Sequence, residues 1–154
     1  MLQRIQSIFL FLAAALNLGI FLVPVWQYAE GSNTESITAL NSVATVESGA
    51  EKAVSFIDTP VNLIPAVLAV LASLLILIII FLYSNRKRQI SLTNIAVVLL
   101  MAQIGAWVFI TMQGPFQIGS ALGGGSPWIG FAFPVVALVL AWVGRNFIVK
   151  DEKL

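Results

Sequence analysis

The stretch Asn85-Arg86-Lys87-Arg88-Gln89 decides the fold, because it is the densest group of cations in the chain and separates two long apolar segments. These segments cover residues 61–84 and 90–113. Each is long enough to cross a hydrocarbon core of about 30 Å, which takes about 20 residues as a helix. Two such helices with a short basic connection form a membrane hairpin, and basic connections stay on the cytoplasmic side. The stretch therefore predicts both a membrane fold and its orientation.

The composition is that of an integral membrane protein. Of the 154 residues, 59% are hydrophobic and 10% are charged, whereas soluble domains carry about 25% charged residues. The chain has no cysteine and no histidine. This excludes disulfides, thiolate chemistry, histidine-ligated haem and His/Cys zinc sites. No cofactor or metal motif is present, and we expect neither a cofactor nor a metal.

Two further apolar segments flank the hairpin. The first reaches Pro24 and Trp26, and it is too long for the apolar region of a signal peptide, which has about 7–15 residues. The last is followed by Lys150, which returns the chain to the cytoplasm. The sequence thus predicts one all-α membrane domain with cytoplasmic termini and four transmembrane helices at about residues 5–26, 61–84, 90–113 and 128–149.

The polar segment between helices 1 and 2, residues 27–60, is predicted to lie outside. It holds five of the seven acidic residues and one cation, Lys52. Residues 36–47 are rich in Ile, Thr and Val, which favour strands, and residues 53–57 can return after a Ser-Gly turn. We therefore expect a short β-hairpin. A helical stripe is the open alternative, formed by Ile37, Leu40, Val43 and Val46.

Under this threading, the link of residues 85–89 is cytoplasmic and residues 114–127 form a second outer loop. All cations except Lys52 then lie inside, which agrees with the positive-inside rule. The same cations can contact anionic lipid headgroups, each with about 1 kcal/mol. The candidates for topology and headgroup contact are Arg4, Arg86, Lys87, Arg88, Arg145 and Lys150.

Three blocks of sequence resemble a known family. They are Leu2-Gln3-Arg4-Ile5-Gln6-Ser7, the central Asn85-Arg86-Lys87-Arg88-Gln89, and Lys150-Asp151-Glu152-Lys153-Leu154. Their order and spacing are similar to those of the bacterial membrane family catalogued as domain of unknown function 4293, found mainly in Bacteroidota. The resemblance spans the whole chain and implies a bacterial inner-membrane protein. It implies no activity and no catalytic residue.

Two polar side chains are predicted at mid-membrane, Asn17 in helix 1 and Gln103 in helix 3. Because such groups are costly in lipid, both should face the bundle. An interhelical hydrogen bond is favoured over a polar substrate site. Small residues predict faces for close helix packing or for a partner subunit, and these are Ala14, Ala15, Gly19, Gly105 and Ala106.

The sequence favours a non-enzymatic accessory, assembly or interaction subunit for another membrane protein, because it has no catalytic constellation and no charged pathway. The alternative is a lipid- or small-solute-binding or transport protein, whose cavity would place Asn17 and Gln103 on a shared lumen. A third hypothesis, a membrane enzyme, would need Asp58 and Glu51 to converge. The expected partners are membrane lipids and another membrane protein or a second copy. Nucleic acid is not expected, since no contiguous basic face is predicted.

Overall fold

The computed structural model describes residues 2–30, 33–45, 51–55, 60–82, 84–113, 126–127 and 129–153. Within these residues the chain is mostly helical. All four long helices have the length and hydropathy needed to span a membrane, as predicted. They are α1 (Leu2–Leu18), α2 (Pro60–Phe81), α3 (Arg86–Gln113) and α4 (Ile129–Glu152).

The helices form an antiparallel bundle in which each helix packs on its neighbours in the chain, and α4 closes the ring on α1. Along the seam between α1 and α4, Leu10 lies against Gly144 and Gly19 lies against Phe133, so these helices run in opposite directions. The helices α1 and α3 are therefore diagonal to each other and run parallel.

Seven of the eight cations lie at one end of the bundle, which we call the cationic end. They are Arg4, Arg86, Lys87, Arg88, Arg145, Lys150 and Lys153. The helices α1 and α3 begin at this end, and α2 and α4 finish there. The eighth cation, Lys52, lies in a β-sheet at the opposite end, which we call the sheet end.

The sheet has five antiparallel strands among the described residues. They are β1 (Trp26–Glu30), β2 (Asn33–Ile37), β3 (Asn41–Thr45), β4 (Glu51–Ser55) and β5 (Ser126–Pro127). The spatial order is β4-β3-β2-β1-β5. Strands β1 to β4 form a meander, and β5 pairs with the other edge of β1, where Trp26 faces Pro127 in register. The segment between α1 and α2 is thereby joined to β5, whose last residue lies two positions before the start of α4.

The predicted hairpin is present as β3 and β4, but the sheet is larger than predicted. The single strand expected over residues 36–47 is divided by a turn, in which the Thr38 amide donates to the Asn41 carbonyl at 2.8 Å. The helical alternative for the stripe is wrong for its described members, because Ile37 and Val43 lie in strands and Leu40 in the turn. The all-α description is corrected to a helical bundle that carries a small sheet.

Two predicted helix ends also change. The first helix was expected to reach residue 26, but α1 ends at Leu18, and a 3-10 turn (Gly19–Phe21) follows. Pro24 lacks an amide proton and so cannot donate the backbone hydrogen bond that a continued helix would need at this position. The Val25 amide instead donates to the Ile37 carbonyl at 2.7 Å, which leads the chain into the sheet. Strand pairing therefore replaces the last part of the predicted helix.

The predicted link of residues 85–89 is mostly helical, because α3 begins at Arg86. Asn85 is the reason: its side-chain Oδ1 accepts from the Arg88 amide at 3.3 Å, and its carbonyl accepts from the Gln89 amide at 3.0 Å. An asparagine at this position satisfies amides that the helix itself leaves unpaired. Asp58, residues 114–125 and Trp128 lie outside the described residues.

Two apolar clusters form the core. The first fills the bundle and contains Leu10, Ala13, Ala14, Ala72, Ile76, Ile79, Ala96, Leu100, Ala137, Ala141 and Ile148. The second joins the sheet to the bundle and contains Ile20, Val25, Ile37, Ala39, Ala66, Ala69, Trp107 and Ile110. Ile37 of β2 and Ala39 of the turn between β2 and β3 are fully buried in this cluster, so the sheet is packed onto the bundle.

Candidate functional site

A buried polar network connects three helices toward the sheet end. The Gln103 amide Nε2 donates to Asn17 Oδ1 at 2.9 Å. The Asn17 amide Nδ2 donates to the Ala69 carbonyl and to Ser73 Oγ, both at 3.1 Å. Asn17 and Gln103, placed at mid-membrane by the sequence, therefore contact each other directly across the bundle diagonal. Both residues are fully buried.

This contact closes the interior at that level. Side chains from diagonal helices that meet at hydrogen-bond distance leave no lumen between them. The alternative hypothesis of a solute cavity would require such a lumen. Between the network and the cationic end, α3 contributes Ala96 and Leu100 to the apolar core. The other buried polar side chains of the described residues lie near the cationic end, at Gln6, Gln89 and Thr93, and on the sheet side of the network, at Thr111. Among the described residues an apolar layer thus separates the Asn17–Gln103 network from the polar groups near the cationic end, and an ion pathway through the bundle would have to cross this layer.

Some buried polar atoms have no partner among the described residues. Near the network these are Gln103 Oε1 and Trp107 Nε1, one turn apart on α3. Near the cationic end they are the Oε1 atoms of Gln6 and Gln89; Gln89 uses its Nε2 to donate to the Ile79 carbonyl at 3.1 Å. An unsatisfied buried group costs about 1–3 kcal/mol. The interior polar groups are therefore only partly satisfied by one another.

The small residues predicted for close packing divide into two groups. Ala14 is buried, and an added Cβ at Gly19 would lie 2.8 Å from the Phe133 ring, so these two face a neighbouring helix. Ala106 is partly buried. Ala15 and Gly105 do not pack on a neighbouring helix within the described residues: both are exposed, and nothing lies within 4 Å of a Cβ placed at Gly105. For these two residues a contact with a partner subunit stays a prediction. Adjacent residues point about 100° apart on a helix, so neighbouring small residues cannot all share one face.

The principal small-residue face is on α4, which the sequence analysis did not identify. Its buried residues recur at steps of four and three: Gly130, Pro134, Ala137, Ala141, Gly144 and Ile148. An added Cβ at Gly144 would lie 3.3 Å from the Leu10 side chain. At Gly130 it would lie 2.4 Å from the Pro24 carbonyl oxygen, which also accepts from the Gly130 amide at 2.9 Å. The seven-residue repeat of small residues was the signal in the sequence.

Gly130 fixes the position of the sheet on the bundle. The segment that leads from the 3-10 turn into β1 crosses the start of α4 at this glycine. One residue later, the Phe131 ring meets Trp26 of β1 edge-on, with ring centroids 5.8 Å apart. The sheet is therefore held by a backbone hydrogen bond, an aromatic pair and the second apolar cluster.

The cationic end is organised by contacts between α3 and α4. The Arg86 guanidinium donates to the Asp151 carbonyl at 2.6 Å and lies 3.6 Å from its carboxylate. Further into the bundle, Arg145 Nε donates to Asn94 Oδ1. Arg4, Lys87, Arg88 and Lys150 are exposed. The six predicted headgroup-contact residues thus share one end, and two of them are held by partners on a neighbouring helix.

An apolar groove opens on the outside of the molecule where the bundle meets the sheet. Its volume is about 270 Å³, near the lower limit for small-molecule sites. It is lined by Phe21, Leu40, Leu63, Ala66, Val67 and Val70. The groove has no polar lining and is distinct from the Asn17–Gln103 network.

No group of three metal-binding side chains occurs in the described part of the chain. In the comparison with protein families, the model described as domain of unknown function 4293 (DUF4293) matches residues 2–154. This confirms the resemblance that the three sequence blocks indicate. No curated protein matches the chain.

Proposed function

The chain belongs to the DUF4293 family, and from this premise we propose that it is a non-enzymatic accessory or assembly subunit of another membrane protein. We place it in the inner membrane of a bacterium, with the cationic end in the cytoplasm and the sheet on the periplasmic side. The orientation is supported by the seven cations at one end and by the acidic residues of the sheet segment.

The observation that carries the proposal is the sheet and its attachment. A recognition surface is most effective when it is ordered before the partner arrives, because less entropy is lost on binding. Ile37 and Ala39 are fully buried in the second apolar cluster. The Gly130 amide donates to the Pro24 carbonyl, which attaches the segment before β1 to α4. The sheet therefore moves with the bundle, and it presents the edge strand β4, which pairs only with β3 among the described residues.

An exposed strand edge can add a strand from a partner, and backbone hydrogen bonds then supply the affinity. The interior of the bundle is consistent with the same function, because it holds no open polar site in the described residues. The Asn17 and Gln103 amides are bonded to each other rather than to a lumen, and the described residues offer no continuous polar route across the bundle. We therefore assign the function to the surface of the protein and not to its interior.

The test is removal of the β3–β4 hairpin, residues 41–55. Asn41 pairs with Ser55, so the first and last residues of the deleted segment lie about 5 Å apart, and two glycines replace the segment. The buried anchors Ile37 and Ala39 remain in place. The tagged full-length protein and the deletion variant are purified from native membranes in mild detergent, and co-eluting proteins are quantified by mass spectrometry.

We expect one protein to co-elute in a fixed ratio with the full-length chain and to be lost with the deletion, while the helical content stays unchanged. Met101→Ala is the matched control, because this exposed side chain lies on α3, away from the sheet. Retention of the partner by the deletion variant, or its loss with Met101→Ala, would contradict docking through the sheet.

A second candidate function is the binding of a lipid chain or apolar solute in the groove at the junction. The supporting observation is the purely apolar lining of that groove, about 270 Å³ in volume. Val67→Trp would fill the groove, whose lining includes no residue of β3 or β4. The second function replaces the first if Val67→Trp loses a reproducibly bound lipid while the hairpin deletion leaves the co-eluting proteins unchanged.

A further inference from the structure

The inner arginine of the cationic end has no acidic partner among the described residues. Arg86 meets the carboxylate of Asp151, whereas Arg145 is held only by the neutral side chain of Asn94. A hydrogen bond from Nε fixes the guanidinium plane but leaves the positive charge uncompensated. An arginine in this state fits the geometry of a phosphate or carboxylate, which it can contact with two parallel hydrogen bonds.

The depth of Arg145 sets it apart from the other cations of α3 and α4. It lies seven residues before the end of α4 at Glu152, which places it about 10 Å inward along the helix axis. Measured from Ile129, it lies about 24 Å along the helix. In a hydrocarbon core of about 30 Å, this position is at the margin of the apolar region, where an unpaired charge is costly.

The surrounding charge attracts anions. The cationic end holds seven cations and two carboxylates, Asp151 and Glu152, among the described residues. Three of these cations, Arg86 to Arg88, occupy the first turn of α3 and face the positive end of the helix dipole, an arrangement that disfavours the helix. An anion at this end relieves the repulsion and supplies the partner that Arg145 lacks.

We propose that Arg145, oriented by Asn94, binds the phosphate of an anionic phospholipid in the seam between α3 and α4. This inference rests on the membrane placement described under Proposed function. The exposed cations around the seam give the preference for a net negative headgroup, and Arg145 gives the defined position. Asn94 is a positioning residue that contacts the arginine and not the lipid.

The experiment uses the full chain in detergent, with phosphatidylglycerol titrated and bound lipid counted by native mass spectrometry. We expect Arg145→Gln to weaken phosphatidylglycerol binding about tenfold, the effect of losing one charge-assisted contact. Lys153→Gln removes the same charge from an exposed position at the same end, and we expect at most a threefold effect. Asn94→Ala keeps every charge and should weaken binding about threefold to fivefold.

Four outcomes would overturn the proposal. Equal effects of Arg145→Gln and Lys153→Gln would mean a diffuse charge effect without a site. No effect of Asn94→Ala would remove the positioning role. Competition by inorganic phosphate or by glycerophosphoglycerol as effective as that by the intact lipid would identify a free-phosphate site. Phosphatidylcholine must bind more weakly than phosphatidylglycerol.

The test is separate from that of the proposed function, because the two use opposite ends of the molecule. Melting temperatures measured without added lipid identify a variant that fails to fold. Arg145→Gln should keep the co-purified protein partner, and the hairpin deletion should keep phosphatidylglycerol binding. Loss of both properties in either variant would contradict the independence of the two sites.

Discussion

The polar network between Asn17 and Gln103 can be tested by a double-mutant cycle. Asn17→Ala removes three hydrogen bonds, two donated by Nδ2 and one accepted by Oδ1. Interhelical hydrogen bonds in membrane proteins contribute about 0.6 kcal/mol on average and up to about 1.7 kcal/mol. Three bonds therefore correspond to about 2 kcal/mol, and the unpaired Gln103 amide left behind raises the cost.

Gln103→Met is the informative second variant, because it nearly conserves the side-chain volume. It removes one hydrogen bond and also the Oε1 atom that has no partner among the described residues. We expect it to cost less than about 1 kcal/mol, because the Asn17 Oδ1 that loses its donor takes the place of the Gln103 Oε1 that had none, and the net loss is one interhelical hydrogen bond. The coupling free energy between the two positions should be about 0.6–1.7 kcal/mol.

The assay is reversible unfolding of the purified protein in mixed micelles, with the free energy of unfolding measured for the parent, both single variants and the double variant. The reasoning would be refuted by strict additivity, with a coupling free energy below about 0.3 kcal/mol. It would also be refuted if Gln103→Met were as destabilising as Asn17→Ala, because only the asparagine contacts all three helices.

Three further predictions concern the junction and the orientation. Gly130→Ala should lower the free energy of unfolding by about 1–3 kcal/mol, because its Cβ would lie 2.4 Å from a backbone oxygen; thermal unfolding measures this. Ile37→Ala should cost about 2–4 kcal/mol, since the side chain is fully buried, and hydrogen exchange should rise in the sheet before the bundle. The chain has no cysteine, so Lys52→Cys should react with an impermeant maleimide in intact spheroplasts, whereas Lys153→Cys should react only after lysis.

Each of these predictions has a control or a contradicting result. Gly105→Ala should be neutral or stabilising by up to about 1 kcal/mol, because a Cβ there meets nothing within 4 Å; equal losses at both glycines would contradict the packing. Leu40→Ala changes a side chain that is 46% exposed and should cost less than about 1 kcal/mol. Labelling of both cysteines in intact spheroplasts would contradict the orientation.

The helices could be predicted from the sequence because their signal is long and uniform. About 20 consecutive apolar residues admit few structures in a membrane. The ends were harder, because they depend on single contacts: Asn85 caps α3 inside the predicted link, and pairing of Val25 with Ile37 ends the first helix early. Residue patterns alone do not reveal which backbone group will find a partner across the fold.

The sheet was underestimated for a related reason. Only a 3-10 turn and a short connection separate the apolar first helix from strand β1. Trp26 in an extended strand has the same sequence signal as an aromatic residue at a membrane interface. Strand β5 has only two residues and exists because it pairs with β1. Ala15 and Gly105 do not take part in packing within the bundle, which the sequence did not reveal because small residues were considered singly. The repeat of small residues on α4, from Gly130 to Gly144, marks the face that packs in the bundle. Its meaning becomes clear only when the helix that packs against it is known.

The most direct test of the account is photo-crosslinking in native membranes from a single site in β4. A photoreactive amino acid replaces Val54 in the edge strand, and a second variant carries it at Phe11, which is exposed on α1. The account predicts one crosslinked protein of defined mass from position 54, and none of that mass from position 11. Crosslinks to lipid alone from position 54, or the same protein from position 11 only, would contradict recognition through the sheet.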